Sequence, residues 1–137
     1  MNLTTLTYAS VSGLEPEMAQ AAVEAMVAKA RISNAANDIT GALLFTGTHF
    51  VQVLEGDAGP IDTLLRKLHA DNRHDGLIIT SRASLTKRRF AGWDMAYSGP
   101  SQFVTMRVSR MFNKADPAGQ RNASRWLIDL MRQLAQN

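Results

Sequence analysis

The stretch FVQVLEG, Phe50 to Gly56, constrains this chain more than any other. It alternates with the two-residue period of a strand. Phe50, Gln52 and Leu54 share one face, and Val51 and Val53 share the other. Both faces are apolar, so the strand needs cover on both sides. Gln52 breaks the pattern. It carries a primary amide with up to four hydrogen-bonding sites into an apolar setting, where an unmet site costs about 1–3 kcal/mol. Something specific has to satisfy that amide.

The flanking segments supply the missing layers. Leu3 to Ser10 reads as a first strand. Ser12 to Pro16 is a helix-start signal. Ala19, Ala22, Val23, Met26, Val27 and Ala30 then recur at helical spacing to about Arg31. SNAANDITG is turn chemistry leading into a strand over Ile39 to Thr46. Gly47-Thr48 joins it to His49–Glu55 as a hairpin. GDAGP opens a second helix with Ile61, Leu64, Leu65 and Leu68 as its stripe, ending near Asp71. NRHDG reads as a loop, Leu77 to Thr86 as strand four, and Trp93 to Tyr97 as a short fifth strand.

The order β-α-β-β-α-β plus an extra strand predicts an α+β, ferredoxin-like fold with two helices on one sheet face. From Ser101 the pattern is helical again. Val104, Val108, Met111 and Phe112 predict a short helix; Asp116-Pro117 starts another, with Trp126, Leu127, Leu130, Met131 and Leu134 as its stripe. These two C-terminal helices are too apolar to stand free and are expected on the other sheet face. The expected organisation is an α+β unit over 1–98 and a helical extension of the same domain over 99–137.

Composition excludes several chemistries. With no cysteine, disulfides, thiolate metal sites and cysteine nucleophiles are out, and a reducing, cytoplasmic setting is expected. MNLTTLTYAS lacks the basic and apolar regions of a signal peptide, and no apolar run approaches the roughly 20 residues of a membrane span. His49, His69 and His74 lie on different elements without ligand spacing, so no metal is expected. No phosphate-binding glycine loop, dinucleotide fingerprint or nucleophile elbow is present. Residues 1–99 carry nine basic and ten acidic side chains, residues 100–137 six and two. The basic excess lies in the tail, where a solvated helix face explains it; direct nucleic-acid binding is not expected.

The informative residues are polar ones in apolar settings. Tyr8 shares a strand face with Leu6, Asn34 follows the first helix, and DNRH (Asp71 to His74) follows the second, with Lys67 one turn earlier. Each has an ordinary explanation: a buried phenol anchored on a carbonyl, a helix cap, a solvated loop. Gln52 is the hardest to explain away.

Taken together, LTYAS, ARISNAANDITGALLF, FVQVLEG, DNRH and RRFAGWDMAY resemble the BLUF domain, a blue-light sensor that uses FAD. The resemblance runs from about Leu3 to Tyr97, and ITGALLF followed by FVQVLEG is its most specific part. It implies FAD lying between the two helices over the sheet. Met26 and Phe50 would belong to its apolar surroundings and Asn34 would bond the ring's pyrimidine edge. Lys67, Asp71, Arg73 and His74 would lie near the carbonyl edge or the ribityl–phosphate side. Many family members carry a second Asn before that Asn; here it is Ser33.

The resemblance also implies a mechanism. Tyr8 and Gln52 form the photoactive pair: light moves an electron and a proton from the Tyr, and the Gln ends with a different hydrogen-bond arrangement. Trp93 and Met95, expected on one face of the last strand, would relay the change to the sheet and the C-terminal helices. That is a switch rather than an enzyme. It would signal through an unidentified downstream protein or its own homo-oligomer, with no further domain and no membrane. Two alternatives share the topology. A ligand-binding module without photochemistry would keep the slot. An acylphosphatase-type hydrolase would need an Arg in the loop after strand one, and YASVSGLEP supplies none.

Overall fold

The computed structural model describes residues 3–71, 73–93, 95–98 and 104–136. Asn72 and Asp94, which fall within quoted motifs, and residues 99–103 lie outside these. The elements are β1 (Leu3–Ser12), α1 (Pro16–Ala36), β2 (Thr40–Phe45), β3 (His49–Gly56), α2 (Ala58–Ala70), β4 (His74–Leu85), β5 (Ala96–Ser98), α3 (Thr105–Met111) and α4 (Pro117–Gln136).

The sheet order is β4-β1-β3-β2-β5, so the strand bearing Gln52 is central. It pairs antiparallel with β1 and β2, and β5 adds to β2 in parallel. β3 is buried almost throughout, as its two apolar faces require. One face carries Leu6, Tyr8, Leu43, Phe45, Phe50 and Leu54 and packs on Val23 and Val27 of α1 and Ile61 of α2. The other carries Ala9, Ala42, Leu44, Val51 and Val53 and packs on Val104, Val108, Met111, Leu127, Ile128 and Met131. The two C-terminal helices therefore cover the face that the first two leave open, and the ferredoxin-like arrangement is the fold observed.

Several boundaries move, each for a local reason. β1 continues to Ser12 because it keeps pairing with both neighbours, Val11 with His49 and Ser12 with His74. That pairing draws His74 into β4 rather than a loop. α1 runs five residues past Arg31, so Asn34 lies inside its last turn. The helix ends at Asn37, followed by Asp38 in the left-handed region at φ 53°. Asn34 is thus no cap; its backbone carbonyl accepts from the N–H groups of Asn37 and Ile39. The fifth strand is shorter than expected. It begins at Ala96, leaving Trp93 and Met95 in the segment before it.

The stripe on α4 is rotated from the expected one. Ala123, Leu127, Ile128 and Met131 are buried, whereas Trp126 and Leu134 are exposed at 37% and 39%. Trp126 takes the Arg107 guanidinium over its ring at 4.5 Å, which suits an aromatic face at the surface. Leu127→Ala should cost about 2–5 kcal/mol, as a cavity in a packed core does. Trp126→Ala should cost less than about 1 kcal/mol, the scale of an exposed cation–π contact. Urea unfolding measures both, and equal losses would contradict the rotated stripe.

Candidate functional site

Tyr8 and Gln52 are direct cross-strand partners on β1 and β3, with side chains on the α1/α2 face. Residues so placed have side chains within reach of each other. The Tyr8 hydroxyl donates to Gln52 Oε1. Gln52 Nε2 donates to Met95 Sδ at 3.5 Å. The amide is therefore held at both ends, by a strong partner at the oxygen and a weak one at the nitrogen. Gln52 is 7% exposed and Tyr8 fully buried. Burial, and after it the negative charge of Asp71, push the Tyr8 phenol well above its usual range. The phenol accordingly keeps its proton at any ordinary pH.

β4 carries register shifts opposite Thr7/Tyr8 and Ala9/Val11, bracketing the Tyr8 position. Bulges of this kind re-aim side chains beside functional sites. At the second irregularity Gly76 adopts φ 57°, and His74 lies just before it. The Ser10 hydroxyl and His74 Nδ1 are 2.8 Å apart. The His74 ring also meets the Tyr8 ring edge-on at 5.9 Å and Phe50 at 4.6 Å.

Above Gln52 a cavity of about 420 Å³ opens between α1 and α2. Tyr8, Gln52, Leu43 and Met95 are at its sheet side; Met26, Ala30 and Asn34 line it from α1, and Leu64, Lys67 and Leu68 from α2. Asp71, Arg73 and His74 complete it. A second, wider cavity of about 560 Å³ shares Ser33, Asn34, Leu64 and Lys67 with the first and continues to Asn37, Asp62 and Arg66. The pair makes one slot, apolar within and polar outward.

Of the nine residues expected around a cofactor, eight line the inner cavity: Tyr8, Met26, Asn34, Gln52, Lys67, Asp71, Arg73 and His74. Phe50 does not. It is fully buried on the same sheet face, stacked on Phe45 at 4.9 Å and against His74, beside the cavity rather than in its lining. Trp93 and Met95 do not share a face. Met95 is 2% exposed and bonded to Gln52, whereas Trp93 is 41% exposed. They precede the strand, so its alternation does not govern them. Asn34 is 2% exposed and lines both cavities.

Asp71 and Arg73 form a forked pair at the cavity, with Arg73 Nη2 2.6 Å from Asp71 Oδ2 and Nε 2.9 Å from Oδ1. Those hydrogen bonds hold the Asp71 carboxyl down at about 2. Two residues went unnoticed in the sequence. Ser10 stands two positions after Tyr8, so strand alternation already placed it on the Tyr8 face. Arg31 lies three residues before Asn34, and its Nε donates to the Met95 carbonyl at 3.0 Å. No sequence signal foretold that reach. Among the described residues there is no group of three or more metal-ligating side chains.

The fold and the site together make an α+β module whose sheet carries a buried Tyr–Gln pair at the floor of a slot between two helices. Residues 3–96 match the BLUF family model, described as sensors of blue-light using FAD. The chain belongs to the BLUF family and is a blue-light sensor domain that uses FAD. It is 39% identical over 77 residues to the blue light- and temperature-regulated antirepressor BluF of Escherichia coli K12, covering 56% of this chain and 18% of that protein. It is 31% identical over 104 residues to the photoactivated adenylate cyclase subunit beta of Euglena gracilis, covering 76% of this chain and 12% of that one. The chain thus spans less than a fifth of the length of these relatives. The dark-state structure of BlrB, a BLUF protein, superposes with a TM-score of 0.74 at 28% identity, covering 98% of this chain and 96% of that one. The ground-state structure of BlsA gives 0.76 at 27%, covering 96% and 88%.

Burial lowers the His74 pKa below its ordinary 6.5, against the attraction of Asp71, and lowers that of His49 as well. The unfolded chain then takes up protons first as pH falls. Stability is fully present above 6.5 and declines as pH drops from there toward the lowered folded values. Thermal melts of the flavin-free protein between neutral pH and mild acid should show this decline. His74→Gln should flatten it, leaving the part that His49 contributes.

Proposed function

We propose that FAD occupies the slot between α1 and α2, and that the protein registers light by reversing the hydrogen-bond pattern of Gln52. The observation that carries this is the doubly held amide at the cavity floor, with the Tyr8 hydroxyl at its oxygen and the Met95 thioether at its nitrogen. The lining suits the cofactor. Met26, Ala30, Leu64 and Leu68 are apolar surfaces for a flat ring, and Asn34 offers an amide to a polar edge. Lys67 and Arg66 extend the slot with positive charge, appropriate to phosphates. When bound, FAD supplies blue-light absorption and an acceptor for an electron and a proton.

The protein's own groups do the rest. Tyr8 cannot ionise by losing a proton alone, because burial and Asp71 disfavour its anion. It can give up an electron and a proton together, and Gln52 Oε1 already accepts its O–H. Gln52 has an acceptor and a donor on one planar group, so rotation or tautomerisation inverts the pattern presented to the cavity without moving β3. Sδ can accept but not donate, so reversal of the amide gives up the hydrogen bond at that end.

This reading makes the protein a two-state switch rather than an enzyme, with light resetting the populations. Its output is an interaction, with an unidentified downstream protein or a second copy of itself. α3 and α4 offer the surface, since they pack on the back of the sheet and expose Met106 and the Arg107–Trp126 pair. Among the described residues no helix is long and apolar enough to cross a membrane.

Purified protein supplied with FAD should be yellow, and blue light should shift its absorption reversibly to longer wavelength. Tyr8→Phe and Gln52→Ala should each keep flavin and lose the shift. A normal shift in both variants would refute the switch. Bound flavin with no shift in the unsubstituted protein would favour a binding module without photochemistry.

A further inference from the structure

Glu55 lies three residues beyond Gln52 on β3, on the opposite sheet face, and is fully buried. Its carboxylate is not solvated but shared. The backbone N–H groups of Arg89 and Phe90 donate to Oε2 at 2.7 Å and Oε1 at 2.9 Å, and the Thr40 hydroxyl donates to Oε1 at 3.1 Å. Arg88 Nη1 donates to Thr40 Oγ1 at 2.8 Å and to the Glu55 carbonyl at 3.1 Å, while Nη2 donates to the Asp38 carbonyl at 2.8 Å. Arg89 Nη2 donates to Thr5 Oγ1 at 2.8 Å. This polar knot fixes the backbone at residues 88–90, and Phe90 is buried among the α3/α4 core residues.

Five residues later Met95 is buried in the other core, beside Gln52. Phe90 and Met95 thus lie in cores on opposite sheet faces, and between them the Trp93 carbonyl accepts from the Gly41 N–H of β2 at 3.0 Å. At the far end Arg31 Nε donates to the Met95 carbonyl. The strap that joins the photosensitive face to the C-terminal helices is thus tied at both ends by charged side chains, Glu55 at Phe90 and Arg31 at the Met95 carbonyl, neither of which lines the cavity itself.

We propose that Glu55 and Arg31 are positioning residues for the switch: they fix the Phe90–Met95 strap so that Met95 is held against the Gln52 amide, favouring return to the dark arrangement. The inference rests on the reading of Gln52 as the switch. A reversed amide presents its oxygen to Sδ, which has no proton to give, so Met95 loses its hydrogen bond and has to yield. With both ends of the strap anchored, that displacement is opposed. With either anchor loosened, the light arrangement is tolerated for longer.

The test is dark recovery of the FAD-loaded full chain after a blue flash, in Glu55→Gln, Arg31→Ala, Arg31→Lys and Ile61→Val. Glu55→Gln keeps the shape but sets an amide N–H against donors it formerly accepted. Should it fold poorly, Arg31→Ala on the helix surface carries the test alone. Glu55→Gln and Arg31→Ala should keep the dark spectrum and slow recovery about three- to tenfold, the kinetic equivalent of one modest hydrogen bond. Arg31→Lys, which retains a donor, should recover at close to the original rate. Ile61→Val loosens the core of α2 away from the strap and should recover normally. Unchanged or faster recovery in Arg31→Ala, or equal slowing by Ile61→Val, would overturn the positioning role while leaving the switch intact. Absence of any red shift in the unsubstituted protein would overturn the switch and this role together.

Discussion

The amide of Gln52 has to be satisfied within a strand covered by helices on both faces. β3 is the central strand of five, with helices packed on both sides, so no solvent can reach the amide through the sheet. The fold supplies one partner from the neighbouring strand and one from the segment before β5. The first is in register by strand pairing, as Tyr8 opposes Gln52 directly. The second is not set by pairing at all; Met95 arrives because the strap before β5 is held there. One side of the amide is thus fixed by the regular sheet and the other by an irregular, tethered segment. The proposed reversal of the amide draws on that asymmetry, since the Met95 side depends on a tethered segment rather than on the ladder.

What the sequence disclosed follows the same division. Periodicity placed Tyr8 with Leu6, and Gln52 with Phe50 and Leu54, because alternation along a strand is a local property. The order of elements gave the ferredoxin-like sheet, and the apolar C-terminal stripes gave its second cover. Asn34 was misplaced because the end of α1 is decided by a left-handed Asp38 and by carbonyl acceptors in the last turn, not by its apolar stripe. His74 was read as loop because its strand character comes from pairing with Ser12, a contact sixty-two residues apart in sequence. Trp93 and Met95 were given one face by an alternation that does not apply before residue 96. The family resemblance supplied FAD; no residue pattern alone would have done so.

The site itself was legible in its members more than in its construction. Eight of nine expected residues share one cavity, whereas Phe50 lies beside it, packed against His74. The tethers were invisible for a physical reason. Arg31 and Glu55 are charged residues in segments whose periodicity explains them as a solvated helix face and a strand end. Their partners are backbone groups, and those leave no mark on residue type.

A buried carboxylate is ordinarily a liability, and it persists only where hydrogen bonds replace the lost water. Glu55 has two backbone N–H donors and a hydroxyl, with the Arg89 guanidinium nearby at 3.7 Å. An apolar residue there could pack equally well against Phe90 but could not orient the backbone of residues 89 and 90. The position therefore makes sense as a constraint on direction. Its hydrogen bonds constrain the backbone where the strap leaves the α3/α4 core, as the Arg31 hydrogen bond does at Met95 on the α1/α2 face. FVQVLEG thus contains both ends of one mechanical problem. In the proposed reading Gln52 is the group that changes, and Glu55, three residues on and facing the other way, holds the segment that responds.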